Sequence, residues 1–234
     1  MARVIAAIIR HGDYHQLADT PSAHQPFPLN ADGEQHARNA AGNILEVCKN
    51  NGWEPVSAID CSRMLRAWQT AHIIAGRIAD TMPFSPALES YDALAERGVG
   101  SAANLTIGQI RQVLREDPRF PEPPADWKSD SRYRLPLQGA ESLLEAGERV
   151  AGHLVQRMKE LGDETSIDRL KLFVGHGAAF RHAAYHLGVL EFSQISRLSM
   201  HHGHPVYLEY LPGGSWRHIR GEWKSRAQKN RFMD

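Results

Sequence analysis

Val4-Ile-Ala-Ala-Ile-Ile9 runs directly into Arg10-His11-Gly12. The apolar run reads as a buried strand, and the tripeptide places three useful groups at its end. An imidazole can attack, a guanidinium can clamp an anion, and a glycine lets backbone come close to a ligand. In open α/β sheets, ligands bind beyond the carboxyl ends of the strands. A site for phosphoryl chemistry built on this edge needs a second His and more cations from other strand ends. Ser62-Arg63-Met64-Leu65-Arg66 follows the strand expected at Val56–Cys61. Gly175-His176-Gly177 follows the apolar run Leu170–Val174.

Outward from these three edges the order of elements is legible. Residues 13–29 hold Pro21, Pro26 and Pro28 and read as a long loop of the functional kind. Asn30 is placed to cap a helix from about Ala31 to Asn50, with Ala37, Ala41, Ile44, Leu45 and Cys48 on one face. A second helix is expected over Leu65–Ala79. Thr106-Ile-Gly-Gln109 is a capping box for a short helix reaching Leu114. Residues 117–138 carry five prolines and read as irregular. Ser142-Leu-Leu-Glu145 opens a long helix whose Leu143, Ala146, Val150, Leu154 and Met158 face the core. The strand at 170–174 leads into a helix ending at Leu187, with Gly188 beyond it. Val206–Leu211 and Trp216–Arg220 flank Pro212-Gly-Gly-Ser215, a hairpin pattern. Alternating strands and helices predict a three-layer α/β sandwich with a mostly parallel sheet and helices on both faces. A single domain over 1–234 is expected, with an irregular insertion near 97–138.

Composition narrows the classes. Lys plus Arg and Asp plus Glu are 27 each, so net charge is zero and bulk attraction to nucleic acid or membrane is not expected. Two cysteines, Cys48 and Cys61, do not make a disulfide scaffold and suit a reduced cytoplasm. The first apolar run is too short for a signal or a membrane span. Thirteen histidines are many for 234 residues.

The strand-end groups suit a dianionic phosphoryl ligand. Arg binds two phosphate oxygens with its planar fork, and the turn at Gly177 offers helix N–H groups. A neutral imidazole can accept the phosphoryl group and pass it to water. The leaving oxygen needs a proton, and Glu96 in Leu94-Ala-Glu-Arg-Gly98 is the candidate acid.

These motifs, in this order, resemble the histidine phosphatase superfamily, and its cofactor-dependent phosphoglycerate mutase branch in particular. The similar stretches are Arg10-His11-Gly12, Leu29–Ala37, Ser62–Ala71, Leu94–Arg97, Leu135–Leu143 and Gly175–Gly177. The resemblance implies that His11 is phosphorylated, that Glu96 and His176 complete the catalytic set, and that Arg10, Arg66, His176, Ser22 and Gly177 bind phosphate. No cofactor is expected, and no metal, since the cations of the site are side chains and no ligand cluster has convincing spacing. The chain departs from the mutase pattern at several places. Asp13 follows Gly12 where the mutases have Glu, Ser22-Ala23 replaces Thr-Gly, and Ala178 follows the second His-Gly. The mutases' basic substrate-binding residues do not align, with Arg132 and Arg134 as stand-ins. The histidines of His201-His202-Gly203-His204-Pro205 are unusual for the family.

A plain structural reading competes at several positions. Arg63 is either a site cation or a solvated helix-start residue. His201, His202 and His204 lack the spacing of a metal site. His36, His72, His153 and His182 read as helix-surface or core residues, and Cys48 as core. The tail Lys224–Arg231 reads as basic and loosely held. The function expected is hydrolysis of a phosphomonoester through a phosphohistidine on His11. The alternatives are mutase-type phosphotransfer and an inactive phospho-ligand binding module. The partners expected are a phosphorylated small molecule or a phosphoprotein, with a homodimer left open.

Overall fold

A computed structural model describes residues 2–226. The strand β1 (Val4–Arg10) is buried along nearly its whole length and lies in the middle of a six-stranded sheet. Its neighbours explain why it is apolar on both faces. It pairs in parallel with β4 (Arg169–Gly175) and antiparallel with β6 (Val206–Tyr210). Beyond β4 come β2 (Glu54–Ser62) and β3 (Ala87–Tyr91), both parallel, and β7 (Trp216–Arg220) forms the other edge. Because β7 is antiparallel to β6, five of the six strands run the same way and only β6 is reversed, so the sheet is mostly parallel.

Helices cover both faces. Ile5, Ala7 and Ile9 of β1 pack against α1 (Ala31–Asn51) and α2 (Leu65–Ala79). Val4, Ala6 and Ile8 point the other way, onto α4 (Leu143–Glu164) and α5 (Gly177–His186). The period-2 alternation of a strand thus sends one apolar run into two cores. Asn30 caps α1 through Gly33, and Thr106 and Ser142 close the capping boxes of α3 (Ile107–Glu116) and α4. Cys48 and Cys61 are buried free thiols.

Three places differ from the sequence expectations. Ala87–Tyr91 forms an edge strand that alternating burial does not announce, because its partner β2 supplies the pairing. The stretch 97–138 contains α3 and its own apolar cluster of Val99, Ile110, Leu114, Trp127 and Leu135, which also takes in Ala23 of the long loop. Loop and insertion are thus one packed roof over the carboxyl edge of the sheet. The start of the tail is held rather than loose. Lys224–Ser225 forms β8 and pairs with Leu198–Ser199, β5, because the backbone there finds a free strand edge. Residues 227–231 of the expected basic tail lie outside the described residues. No helix among the described residues is long and apolar enough to cross a membrane.

Candidate active site

The carboxyl ends of β1, β2 and β4 converge. Arg10 is in register with Gly175, and Cys61 with Val174, so His11, Ser62 and His176 leave the sheet side by side. The rings of His11 and His176 lie 5.1 Å apart. Both are almost wholly buried, at 3% and 0% exposure.

The backbone around His11 is fully fastened. His11 N–H donates to Gly175 O at 3.0 Å, and Gly12 N–H to Thr70 Oγ1 at 3.0 Å. A Cβ on Gly12 would lie 2.1 Å from Gly33 O, so a glycine is needed for α1 to reach this turn. The His11 Nδ1 lies 2.6 Å from Gly12 O, which accepts but cannot donate. Nδ1 therefore carries the proton and Nε2 keeps its lone pair. Burial, then Arg66, holds the ring's pKa well below its ordinary 6.5, so the imidazole is neutral.

Arg66 is the hub of the site. Its side chain is fully buried, and it stacks over Tyr14 at 4.5 Å. Nε donates to His11 Nε2 at 3.1 Å. Nη1 donates to Gln25 O, and Nη2 to Ser22 O and Ala23 O. Nη2 also lies 3.3 Å from His176 Nδ1. One guanidinium thus joins the helix α2, both histidines and the long loop. His176 Nε2 lies 3.0 Å from Ser62 Oγ, and burial lowers its pKa well below 6.5.

A cleft opens over these groups. Arg10, His11, Tyr14, Ser22, Glu96, Gly177 and Ala178 are among its walls. Arg10 is aimed by Met200 O, 3.0 Å from Nη1, and packs against Gly177, where a Cβ would sit 2.9 Å from the arginine Cδ. Glu96 is buried, and its Oε1 accepts the Arg97 N–H at 2.9 Å. Of the expected site residues, Arg10, His11, Ser22, Glu96 and Gly177 line this cleft, while Arg66 and His176 stand directly behind His11.

The sequence reading missed the adjoining cavity. Ser22, Glu96 and Ala178 form its boundary with the cleft, and Arg97, Lys128, Arg181 and Arg226 are among its walls, around about 490 Å³ of space that includes open solvent. Arg97 and Arg181 are 6% and 4% exposed. Arg97 lies over the Trp127 ring at 5.5 Å. No motif spacing unites these residues, since the insertion, α5 and the position after β8 supply them separately. The proposed stand-ins lie elsewhere: Arg134 pairs with Glu145, and Arg132 covers Phe192. Arg63 is an exposed cation paired with Asp92, as in its solvated reading. His72 stacks on Trp68, and His153 hydrogen-bonds the buried Asp60.

Four buried or half-buried imidazoles have the same electrostatic consequence. His11 and His176 lie well below 6.5, while burial lowers His182 to about 3 and His202 to about 4. The unfolded chain takes up protons at these positions more readily than the fold does. Their contribution is complete above about pH 6.5 and is lost as pH falls toward the folded values, at up to about 1.4 kcal/mol per pH unit per group. The melting temperature is expected to drop progressively between about pH 6.5 and pH 4. A flat profile across that window in calorimetry would contradict this electrostatic account.

The fold has known counterparts. The chain belongs to the histidine phosphatase superfamily (branch 1), whose profile matches residues 6–220. No curated protein matches the chain. Among solved structures it is similar to mycobacterial hydrolase 2, at 21% identity and TM-score 0.68, covering 97% of this chain and 94% of that one. It is also similar to a mycobacterial glucosyl-3-phosphoglycerate phosphatase in complex with inorganic phosphate, at 20% identity and TM-score 0.64 over 94% and 96% of the two chains. The alpha-ribazole phosphatase from Shigella flexneri is similar at 17% identity and TM-score 0.67, over 93% and 95%. At these identities the likeness is one of fold.

Proposed function

We propose that the protein is a phosphatase that hydrolyses a phosphomonoester through a phosphohistidine on His11. The observation that carries this is the tautomer of His11: Nδ1–H is fixed on Gly12 O, and the neutral ring keeps its Nε2 lone pair beside a cationic cleft. In the first step Nε2 attacks phosphorus and the ester P–O bond breaks. Glu96 gives its proton to the departing alkoxide. In the second step the ionised Glu96 takes a proton from water, the water oxygen attacks phosphorus, and the N–P bond breaks to release inorganic phosphate. Arg10, Arg66 and the first N–H groups of α5 stabilise the equatorial oxygens in both steps. His176 supports Arg66 from behind, with Nδ1 3.3 Å from Nη2.

The adjoining cavity supports a narrower substrate class. Three cations from the insertion and α5, Arg97, Lys128 and Arg181, stand next to the acid. Their summed positive potential beside the acid favours an alcohol portion that itself carries an anionic group. A phosphoglycerate derivative, the kind of compound named for the mycobacterial neighbour, belongs to this class.

Hydrolysis of p-nitrophenyl phosphate, with an acid-labile and base-stable phosphoenzyme trapped on quenching, tests the reaction. A protein that binds phosphate without turnover would overturn it. The role of Glu96 has a separate test. Glu96→Gln is expected to slow alkyl phosphates by about 10²-fold or more, and p-nitrophenyl phosphate much less, because nitrophenolate leaves without a proton. Equal losses on both would make Glu96 a binding residue instead.

A further inference from the structure

The loop between β5 and β6 brings a third imidazole to the reaction centre from behind. We propose that His202 is a positioning residue for the attacking nitrogen of His11, an inference that rests on His11 being the nucleophile.

His202 Nδ1 lies 2.7 Å from His11 O. A carbonyl can only accept, so Nδ1 of His202 carries the proton and donates. The next residue, Gly203, donates its N–H to Arg10 O at 2.9 Å. One dipeptide therefore fastens two successive carbonyls at the end of β1. The loop can approach this closely because of Gly203. Its φ is +66°, and a Cβ there would lie 2.4 Å from His36 O of α1.

The His202 ring is itself gripped. It stacks on His36 at 5.8 Å with 14° between the planes, and its centre is 5.5 Å from that of His11. His36 Nδ1 accepts from Asp13 N–H at 3.4 Å, so the stacked pair reaches the turn on both sides of Gly12. The peptide plane joining His11 and Gly12 is then held at each end: its oxygen by His202, its N–H by Thr70. That plane matters because the next carbonyl, Gly12 O, holds Nδ1 of the nucleophile. If the plane rotates, the imidazole turns with it and Nε2 leaves the line of attack. His202 is not among the cleft walls, so its effect passes through His11 and not through the substrate.

The contrast to measure is between His202→Phe, which keeps a flat ring without the donor, and His202→Asn, whose amide nitrogen can reach the position of Nδ1. With p-nitrophenyl phosphate, kcat of His202→Phe is expected to fall about ten- to a hundredfold, the scale of a misplaced reacting group. KM and competitive inhibition by vanadate should change by less than about threefold, and His202→Asn should recover most of kcat. The inference is overturned if His202→Phe keeps kcat within about twofold, if KM rises as much as kcat falls, or if His202→Asn is as slow as His202→Phe. Should His202→Phe not fold, His202→Ala against His202→Asn reads the same contrast. His11→Ala is measured alongside. If it remains active, the nucleophile reading fails and takes this inference with it. If it is inactive while His202→Phe is not, this inference alone fails.

Discussion

His11→Ala is expected to lower kcat by at least about 10³-fold, because it removes the atom that accepts the phosphoryl group. The fold should survive. Of the backbone groups only the Gly12 carbonyl loses a partner, the other backbone hydrogen bonds of residues 10–12 do not use the ring, and the two apolar cores lie on either side of the sheet rather than at its edge. The variant also leaves Arg66 without the acceptor for its Nε, so a phosphate ion can take that donor. Phosphate binding should persist, seen as a rise in melting temperature with added phosphate. No radiolabel should be trapped on the protein. A variant keeping more than about a tenth of wild-type kcat would end the covalent mechanism.

Arg66→Lys carries the second large effect, and it acts on activity and stability together. Lysine keeps the charge but loses the planar fork. The carbonyls of Ser22, Ala23 and Gln25, with the rings of His11 and His176, lose the group that ties them. Buried acceptors without donors cost about 1–3 kcal/mol each, although water entering the loop will offset part of that. A loss of about 2–4 kcal/mol in urea unfolding is expected, with kcat/KM down about 10²-fold or more. Stability within about 0.5 kcal/mol of wild type would show that the loop does not depend on this arginine.

The sheet and its edge were legible because few residues had to be read together. A run of six apolar residues ending in Arg-His-Gly states both a buried strand and a usable terminus. Asn30, Thr106 and Ser142 state helix starts through local hydrogen bonds alone. Ala87–Tyr91 was not legible, since its strand state comes from pairing with β2 and its own burial is only partial. The cationic cavity was hidden for a related reason. Arg97, Lys128 and Arg181 are far apart in sequence and meet only because the insertion folds onto α5 and the loop. His202 was visible as an unusual residue, but its bond to the His11 carbonyl depends on a close approach that only the folded Gly203 turn shows.

The bond from Arg66 Nε to His11 Nε2 has a bearing on how the resting protein meets other chemicals. In the resting protein the lone pair on His11 Nε2 accepts from this Nε–H, and an entering phosphate is expected to compete for that donor. An electrophile without negative charge does not compete for it. Diethyl pyrocarbonate should therefore modify the exposed His201 and His204 well before His11, which is 3% exposed and bonded at both ring nitrogens. Burial and the arginine's hold on Nε2 together are expected to spare His11 from reagents that carry no negative charge.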